Sequence, residues 1–220
     1  MTDSPSLEAI IPLGPETPTP WDLIEVLHKS SVAITISAVG EPSANLPDGV
    51  KWVSGTQGRG HQLNRGIESC ATPWLWMIHA DTRLPANAPE IVMDFVDQAD
   101  WGTIGYCRLA FYIDGPWGVR LNQCGANLRS RWLGQPYGDQ ALCVHRQLWS
   151  RLGGFRDDLV RGEDLDFVIR ARRLNAKTKP LPITLWTSAE RYKRLGWFKT
   201  TLDHQVRAWR LVRQAKRWNP

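Results

Sequence analysis

The sequence predicts a single α/β domain built on a mostly parallel sheet that helices cover on both faces. The run from Trp74 to Ile78 is continuously apolar, which is typical of a strand buried on both sides. Leu63, Ile67 and Cys70 recur at i, i+4 and i+7, the spacing of one helix face. Strands and helices of this kind alternate through the first half of the chain, and this alternation favours a parallel sheet.

The same patterns predict the individual elements. An apolar run at residues 7–13 leads through a proline-rich connection to an amphipathic stretch at 21–28, and residues 32–37 alternate like a strand. The remaining predicted strands are at residues 50–53, 74–78, 102–113 and 141–145. The remaining predicted helices are at residues 87–98, 117–132, 146–152 and 164–174, with one more that opens at residues 57–60. Residues 1–200 are expected to form the main domain and residues 201–220 a basic amphipathic helix.

Composition narrows the class of protein. The chain has 220 residues, enough for one domain with a substantial core, and its apolar runs are far shorter than the about 20 residues of a membrane-spanning helix. The N-terminus does not resemble a signal peptide, and the four cysteines contain no C-x-x-C pair, so we expect a cytoplasmic protein with reduced thiols. The net charge is +5, but residues 199–220 alone contain six basic residues and one acidic residue. Because the basicity belongs to one segment, we expect no nucleic-acid partner.

His79 and Asp81 directly follow the apolar strand at residues 74–78. In open α/β sheets, ligands bind beyond the carboxyl ends of the strands. If the chain stays extended there, both side chains project to the same side. An imidazole beside a carboxylate can bind Mg²⁺ or Mn²⁺, and the carboxylate is the more natural ligand of a hard cation. The alternative is that Asp81 caps the next turn and His79 only packs.

Gly58, Arg59 and Gly60 stand at the start of a predicted helix. Free N–H groups and the helix dipole favour a phosphate at such a position, and the arginine adds a charge-assisted donor. A glycine before a helix is also an ordinary turn, so this motif alone is weak evidence.

Two polar segments in the second half contain candidates for catalysis. Glu163 and Asp164 begin a predicted helix, where one carboxylate could act as a general base for a poorly nucleophilic sugar hydroxyl. The segment Tyr137, Gly138, Asp139 and Gln140 is a polar turn with groups that can hydrogen-bond a sugar. The alternatives are acids that merely complement a helix dipole and a simple Gly-Asp turn.

Together these segments resemble the family 2 glycosyltransferases of GT-A fold, especially a small bacterial subgroup described as radical-SAM/selenodomain-associated transferases. The matching stretches are residues 58–64, 79–85, 138–140, 152–155, 162–166 and 187–192. Their order and spacing agree over about residues 7–201, nearly the whole chain. The resemblance implies a GT-A-like domain with a nucleotide-binding sheet.

The resemblance also implies an activity and a role for each site residue. The enzyme would transfer a sugar, with inversion and metal assistance, from a nucleotide-diphosphate sugar to a hydroxyl acceptor. Asp164 would be the catalytic base, and Asp81, with His79 in place of the other acid of the D-x-D motif, would hold Mg²⁺ or Mn²⁺. The nucleotide and its diphosphate would contact Pro12, Glu16, Gly58, Arg59, Gly60, Gln62 and Asn64. The donor sugar or the acceptor would contact Gly138, Asp139, Gln140, Glu163 and Arg191.

The loop after the second predicted strand departs from the family pattern. The family has D-G-S-x-D there, whereas residues 37–43 contain no aspartate and Glu41 is the nearest acid. Pro15 also replaces the usual asparagine of the first loop. The alternative function is therefore a degenerate, non-catalytic sugar- or nucleotide-binding protein of the same fold, although Asp81 and Asp164 are both retained. A nucleotidyltransferase would need an activating lysine and a glycine-rich first loop, and the loop at residues 14–17 supplies neither.

Leu202, Val206, Trp209 and Val212 recur at helical spacing in the basic C-terminal segment. One interpretation is a helix that packs this apolar face on the domain and leaves its arginines in water. The other is an interfacial helix that brings the enzyme into peripheral contact with anionic lipid. The sequence leaves both interpretations open.

Overall fold

A computed structural model of the protein describes residues 6–30, 32–42, 46–112 and 114–215, without the side chains of Arg191 and Arg207. The predicted fold class is confirmed. A seven-stranded, mostly parallel sheet is flanked by helices.

Apart from two elements near the C-terminus, the elements follow one another in the order that the sequence patterns predict. The strands are β1 (Leu7–Leu13), β2 (Ala33–Ala38), β3 (Val50–Ser54), β4 (Trp74–Met77), β5 (Thr103–Phe111), β6 (Cys143–His145) and β7 (Lys177–Thr187). The helices are α1 (Trp21–His28), α2 (Arg59–Glu68), α3 (Ala88–Gln98), α4 (Val119–Leu133), α5 (Arg146–Arg151), α6 (Glu163–Arg173), α7 (Glu190–Leu195) and α8 (Trp197–Ala215). A short 3₁₀ turn, Gly138–Gln140, comes before β6.

The strand order, β3-β2-β1-β4-β6-β5-β7, places β1 between β2 and β4. The strands from β3 to β4 are parallel, β6 is antiparallel to both of its neighbours, and β7 is parallel to β5. The chain leaves β1 toward β2 and later returns to β4 on the other side. This reversal opens a crevice at the carboxyl ends of β1 and β4, the usual ligand site of an open α/β sheet.

Both faces of the sheet have a hydrophobic core. Leu7, Ala9 and Ile11 of β1 pack in the cluster that includes α1 and α3. Ile10, on the opposite face of the strand, packs in the cluster that includes α2, α5 and α6. Burial on both faces fixes β1, and this positions Pro12 at the crevice.

Two elements near the C-terminus were not predicted. In β7, Leu181, Ile183 and Leu185 are buried and alternate with exposed residues, as a strand requires. Pro180 and Pro182 obscure this pattern, and they are tolerated because β7 lies at the edge of the sheet. The short helix α7 was also missed.

Helix α8 docks on the domain, but of the apolar face that the sequence suggested only Val212 takes part in this packing. Its Leu211 and Ala215 are buried against α6. A Cβ at Gly162, whose φ is +90°, would lie 2.2 Å from Leu211 Cδ1, so α8 packs directly over the start of α6. Leu202 and Trp209 remain more than half exposed. Among the described helices, none is long and apolar enough to cross a membrane.

Candidate active site

The crevice at the carboxyl ends of β1 and β4 contains two adjoining pockets. The inner pocket is narrow, and Pro12, Arg59, His79, Gly138 and Asp164 contribute to its wall. The outer pocket, of about 370 Å³, shares Pro12, Arg59 and His79 and adds Gly14, Thr17, Gln62 and Asp81. The structure therefore brings together side chains that lie as much as 152 residues apart in the sequence, from Pro12 to Asp164.

Arg59 is the first residue of α2 and borders both pockets. Its Nε lies 2.9 Å from Oε1 of the buried Glu163, and its Nη2 lies 3.5 Å from Nδ1 of His79. Gly58, at φ +132°, leads into the helix without a side-chain cap. A positive charge and the uncapped first turn of a helix thus face the same crevice, an arrangement that favours phosphate.

His79 is held as a neutral imidazole. Burial lowers its pKa well below the usual value, and the charge of Arg59 lowers the pKa further. Its Nε2 is buried and makes no hydrogen bond to any atom of the described residues. This ring nitrogen is therefore free to bind a ligand or to act as its hydrogen-bond partner.

Asp81 is exposed at the rim of the outer pocket, where its Oδ2 accepts a hydrogen bond of 3.1 Å from Thr187 Oγ1. The described residues contain no group of three His, Cys, Asp or Glu side chains that could hold a metal ion by themselves. Mg²⁺ is usually held by only one or two carboxylates together with substrate phosphates and water. Asp81 and the unpartnered His79 nitrogen therefore fit a metal that binds together with a diphosphate.

Asp164 is fixed at the start of α6 by two backbone donors. The N–H of Gly138 donates to its Oδ2, and the N–H of Leu165 donates to its Oδ1 over 2.7 Å. A Cβ at position 138 would lie 2.6 Å from the same Oδ2, so this approach requires glycine. Burial, and after it the charge of Asp164, raises the pKa of the adjacent Glu163. The two neighbouring acids therefore have different surroundings. Glu163 is paired with Arg59, whereas Asp164 lines the inner pocket.

Asp139 lines another, larger cavity, which the sequence patterns did not predict. This cavity, the α4–α8 cleft, measures about 650 Å³ and lies between α4 and α8. Leu109, Phe111 and Ala126 are among its apolar lining residues, and Tyr137 and Asp139 line it on the side of the 3₁₀ turn. Burial raises the pKa of Asp139 to about 6, against the opposing charge of Arg129, and its Oδ1 has no hydrogen-bond partner among the described residues.

Replacing Asp139 with asparagine should stabilise the fold at high pH. The unfolded chain ionises this group near pH 4, whereas the native carboxyl resists ionisation until about pH 6. Asp139→Asn should therefore increase the free energy of unfolding by on the order of 2 kcal/mol at pH 8, and this gain should disappear near pH 4. Thermal unfolding at both pH values checks this, with Asp97→Asn on the exposed face of α3 as control. A gain independent of pH would contradict it.

Two of the predicted binding residues, Asn64 and Gln140, have side chains that hydrogen-bond other parts of the protein. Asn64 bridges α2 to the loop after α5: its Nδ2 donates to Phe155 O, and its Oδ1 accepts from Phe155 N and Trp149 Nε1. Gln140 is fully buried, donates to Cys107 O and accepts from Ser130. These amides position the walls of the site and do not face the pockets.

Of the other predicted binding residues, Gln62 lines a pocket of the crevice, whereas Gly60 and Glu16 do not. Gln62 lines the outer pocket, although its amide donates to Leu13 O and Ser37 O. Gly60 packs against the backbone of Arg156, where a Cβ would come within 2.5 Å of the carbonyl oxygen. Glu16 is exposed in the turn after β1, outside the residues that line the pockets. The side chain of Arg191 lies outside the described part of the chain.

The sequence assigned no individual role to three residues that contribute to the site. Thr187 binds Asp81 from the end of β7, across 106 positions. Tyr137 and Arg129 form the inner wall of the α4–α8 cleft, with the guanidinium carbon 3.4 Å from the ring centroid. Tyr137 belongs to the predicted polar turn and Thr187 begins a stretch that matches the family, whereas nothing local marks Arg129.

Comparison with known proteins supports the fold. No model of a protein family and no curated protein matches the chain. Among solved structures, the mannosyltransferase PcManGT from Pyrobaculum calidifontis, in complex with GDP-Man and Mn²⁺, superposes with a TM-score of 0.61 at 16% identity, covering 84% of this chain and 57% of that one. S. aureus TarS residues 1–349 in complex with UDP gives a TM-score of 0.62 at 13% identity, covering 84% and 60%. The same TarS fragment with UDP-GlcNAc gives 0.60 at 13% identity, covering 83% and 58%.

These similarities define the class of fold. The chain shares the GT-A-type α/β fold of nucleotide-sugar glycosyltransferases and spans about three fifths of the length of these three solved chains. At such low identity the likeness concerns the fold alone.

Proposed function

We propose that the protein is an inverting glycosyltransferase that moves a sugar from a nucleotide-diphosphate sugar to a hydroxyl acceptor. The observation that supports this best is the position of Asp164, a carboxylate fixed by two backbone N–H groups beside Arg59 and His79 at the crevice of the sheet. The motifs shared with the family 2 subgroup, and the sugar nucleotides bound by proteins of the same fold, agree with this proposal.

The outer pocket is the proposed site of the donor diphosphate. Arg59 offers its guanidinium and the first turn of α2 offers uncapped backbone N–H groups, both of which suit an anion. Asp81 and His79 would hold Mg²⁺ or Mn²⁺ together with the diphosphate. Such a metal, when bound, neutralises charge that develops on the leaving group. Because residues 37–43 lack the usual aspartate, we propose that contacts elsewhere select the nucleotide base, or that the base is only loosely selected.

Asp164 is the proposed general base. The acceptor oxygen attacks the anomeric carbon from the side opposite the diphosphate, the bond from that carbon to the diphosphate oxygen breaks, and Asp164 takes the hydroxyl proton. The Gly138 N–H holds the carboxylate in place, and the Arg59–Glu163 ion pair fixes the adjacent side chain. With one displacement and no enzyme nucleophile, the configuration of the sugar is inverted.

Turnover of a donor panel tests the proposed function. Sugar nucleotides of uridine, guanosine, adenosine and thymidine are incubated with the protein and Mn²⁺, and release of nucleoside diphosphate is measured. We expect release from at least one α-linked donor, and early proton NMR spectra should show the β-anomer of the freed or transferred sugar. A first-formed α-anomer would contradict inversion. Binding of nucleotides without release from any donor would favour the non-catalytic alternative.

A further inference from the structure

The α4–α8 cleft lies next to the proposed catalytic base, yet it is not part of the donor site. Gly138 borders the inner pocket with Asp164, and the next residue, Asp139, borders the cleft. A molecule lying in the cleft could therefore present a group to Asp164 while a donor occupies the outer pocket. This is the geometry that an acceptor requires.

The lining of the cleft suits an amphiphile. Along the cleft, Leu109, Phe111, Ala126 and Leu133 offer apolar surface. On the inner side, Asp139 Oδ1 and Arg129 Nη2 are buried polar atoms without a hydrogen-bond partner among the described residues. Because buried polar atoms are normally paired, these two atoms mark a place for the polar head of a ligand.

The outer rims of the cleft form an exposed apolar face on α4 and α8. Of the fourteen large apolar side chains that are exposed in the described residues, ten lie between residues 117–133 or 195–209. Trp132 on α4 is 79% exposed, and Phe198 and Trp209 on α8 are 72% and 56% exposed. Apolar residues concentrated in this way mark an interaction surface.

The two rims belong to one surface because α4 and α8 are joined at one end of the cleft. Asn122 Nδ2 donates to Thr201 Oγ1 over 2.9 Å, and the rings of Trp117 and Trp197 stack with centroids 6.4 Å apart. Leu121 from one helix and Trp209 from the other both line the cleft between them.

The charge of this face identifies its partner. Helices α4 and α8, which form this face, contain seven Lys or Arg residues and one acidic residue, a net charge of +6 against +5 for the whole chain. The Arg213 guanidinium carbon lies 3.7 Å from the ring centroid of Trp209, so cation and aromatic ring reach the surface together. Exposed tryptophans among basic side chains suit the interface of an anionic bilayer, where the rings enter the headgroup region and the cations meet the lipid phosphates.

We propose that the face formed by α4 and α8 binds an anionic membrane surface and that the α4–α8 cleft receives a lipid-borne acceptor. The apolar part of the acceptor lies along the cleft, and its hydroxyl-bearing head lies near Asp139, within reach of Asp164. The role of the α4–α8 cleft as an acceptor site rests on the proposed sugar transfer, whereas membrane binding can be measured without any turnover.

A plug in the cleft tests the acceptor site. Gly125 lines the cleft, and a Cβ there meets no atom within 4 Å, so Gly125→Trp should place an indole in the cleft without a clash at its Cβ, while Gly125→Ala leaves the cleft open. Calorimetry uses n-dodecyl maltoside below its micelle concentration as the amphiphile and maltose as the head alone. We expect the wild type and Gly125→Ala to bind the detergent, and Gly125→Trp to bind it at least about tenfold more weakly, as loss of several buried methylenes implies. Equal binding by both variants, or binding of maltose as tight as that of the detergent, would overturn the acceptor site.

Vesicle sedimentation tests the membrane surface. The wild type should bind vesicles of phosphatidylglycerol and phosphatidylcholine at low salt, and should bind weakly at high salt or to phosphatidylcholine alone. The double variant Arg210→Gln/Arg213→Gln should bind at least about tenfold more weakly, since each cation near such a surface contributes about 1 kcal/mol. The double variant Trp132→Ser/Trp209→Ser should also bind at least about tenfold more weakly, because binding strength scales with the apolar area that enters the interface. The matched controls, Trp21→Ser/Trp101→Ser and Lys29→Gln/Lys51→Gln, remove similar groups from other surfaces and should bind like the wild type.

Two results would overturn the membrane surface. One is wild-type protein that does not bind the anionic vesicles at low salt. The other is a dimer in sedimentation equilibrium that Trp132→Ser/Trp209→Ser converts to monomer without any vesicle binding, because the face would then pair two copies of the chain. Vesicle binding needs no sugar nucleotide. Absence of vesicle binding by a protein that still turns over donors would refute this surface and leave the proposed function intact.

Discussion

Replacing Asp164 with asparagine should reduce sugar transfer by about 10²-fold or more, the usual scale for loss of a general base. Asparagine keeps the size of the side chain and one oxygen that can accept a hydrogen bond from Gly138 or Leu165. The variant loses the basicity of the side chain and one of its two backbone hydrogen bonds, but it changes no residue of the outer pocket, so the rate of turnover should fall while the affinity for the donor stays close to that of the wild type. Release of nucleoside diphosphate under saturating donor measures the change.

The matched control for this variant is Asp97→Asn, on the exposed side of α3 and outside the residues that line the two pockets of the crevice. It removes one carboxylate from the same protein and should turn over at the wild-type rate. If Asp164→Asn turned over as fast as this control, Asp164 would be only an acid that complements the dipole at the start of α6.

Replacing Asp81 with alanine should weaken nucleoside diphosphate binding and remove its dependence on metal. Asp81 is the carboxylate of the outer pocket, and it is held there by Thr187. Loss of a residue that only hydrogen-bonds a metal ligand lowers metal affinity by about 10–100-fold, so loss of a direct ligand should cost no less. Calorimetry with UDP and GDP, in Mn²⁺ and in chelator, measures the effect.

His79→Ala is the informative companion to this variant. An imidazole is a weaker ligand than a carboxylate for a hard cation, so its loss should reduce binding less than the loss of Asp81. A larger loss with His79→Ala would place the ligand on the unpartnered His79 nitrogen, and Asp81 would then serve the turn that follows β4.

The first half of the fold could be predicted because its signals are local. Apolar runs with period two or continuous burial define β1 to β4, and the glycine before α2 marks where that helix begins. Strand β7 was missed because it contains two prolines, which argue against a strand unless it lies at a sheet edge. Only the complete sheet shows that β7 is an edge strand.

The candidate site could be predicted only where a motif follows a predicted element. His79, Asp81 and Arg59 each stand directly after a strand or at a helix start, and the structure places all three at one crevice. The inward orientation of Asn64 and Gln140 could not be read from the sequence, because the carbonyl and amide groups that they bind come from distant segments. The α4–α8 cleft is likewise a product of tertiary packing, since α8 buries Leu211 and leaves Trp209 exposed.

The most direct measurement is calorimetry of UDP and GDP binding in Mn²⁺ by the wild type, Asp81→Ala and Asp164→Asn. If the crevice of β1 and β4 is a donor site with separate groups for binding and chemistry, the wild type and Asp164→Asn should bind at least one nucleotide with similar affinity. Asp81→Ala should bind it at least about tenfold more weakly. Absence of binding by the wild type, or equal binding by all three proteins with and without metal, would contradict this assignment of the site.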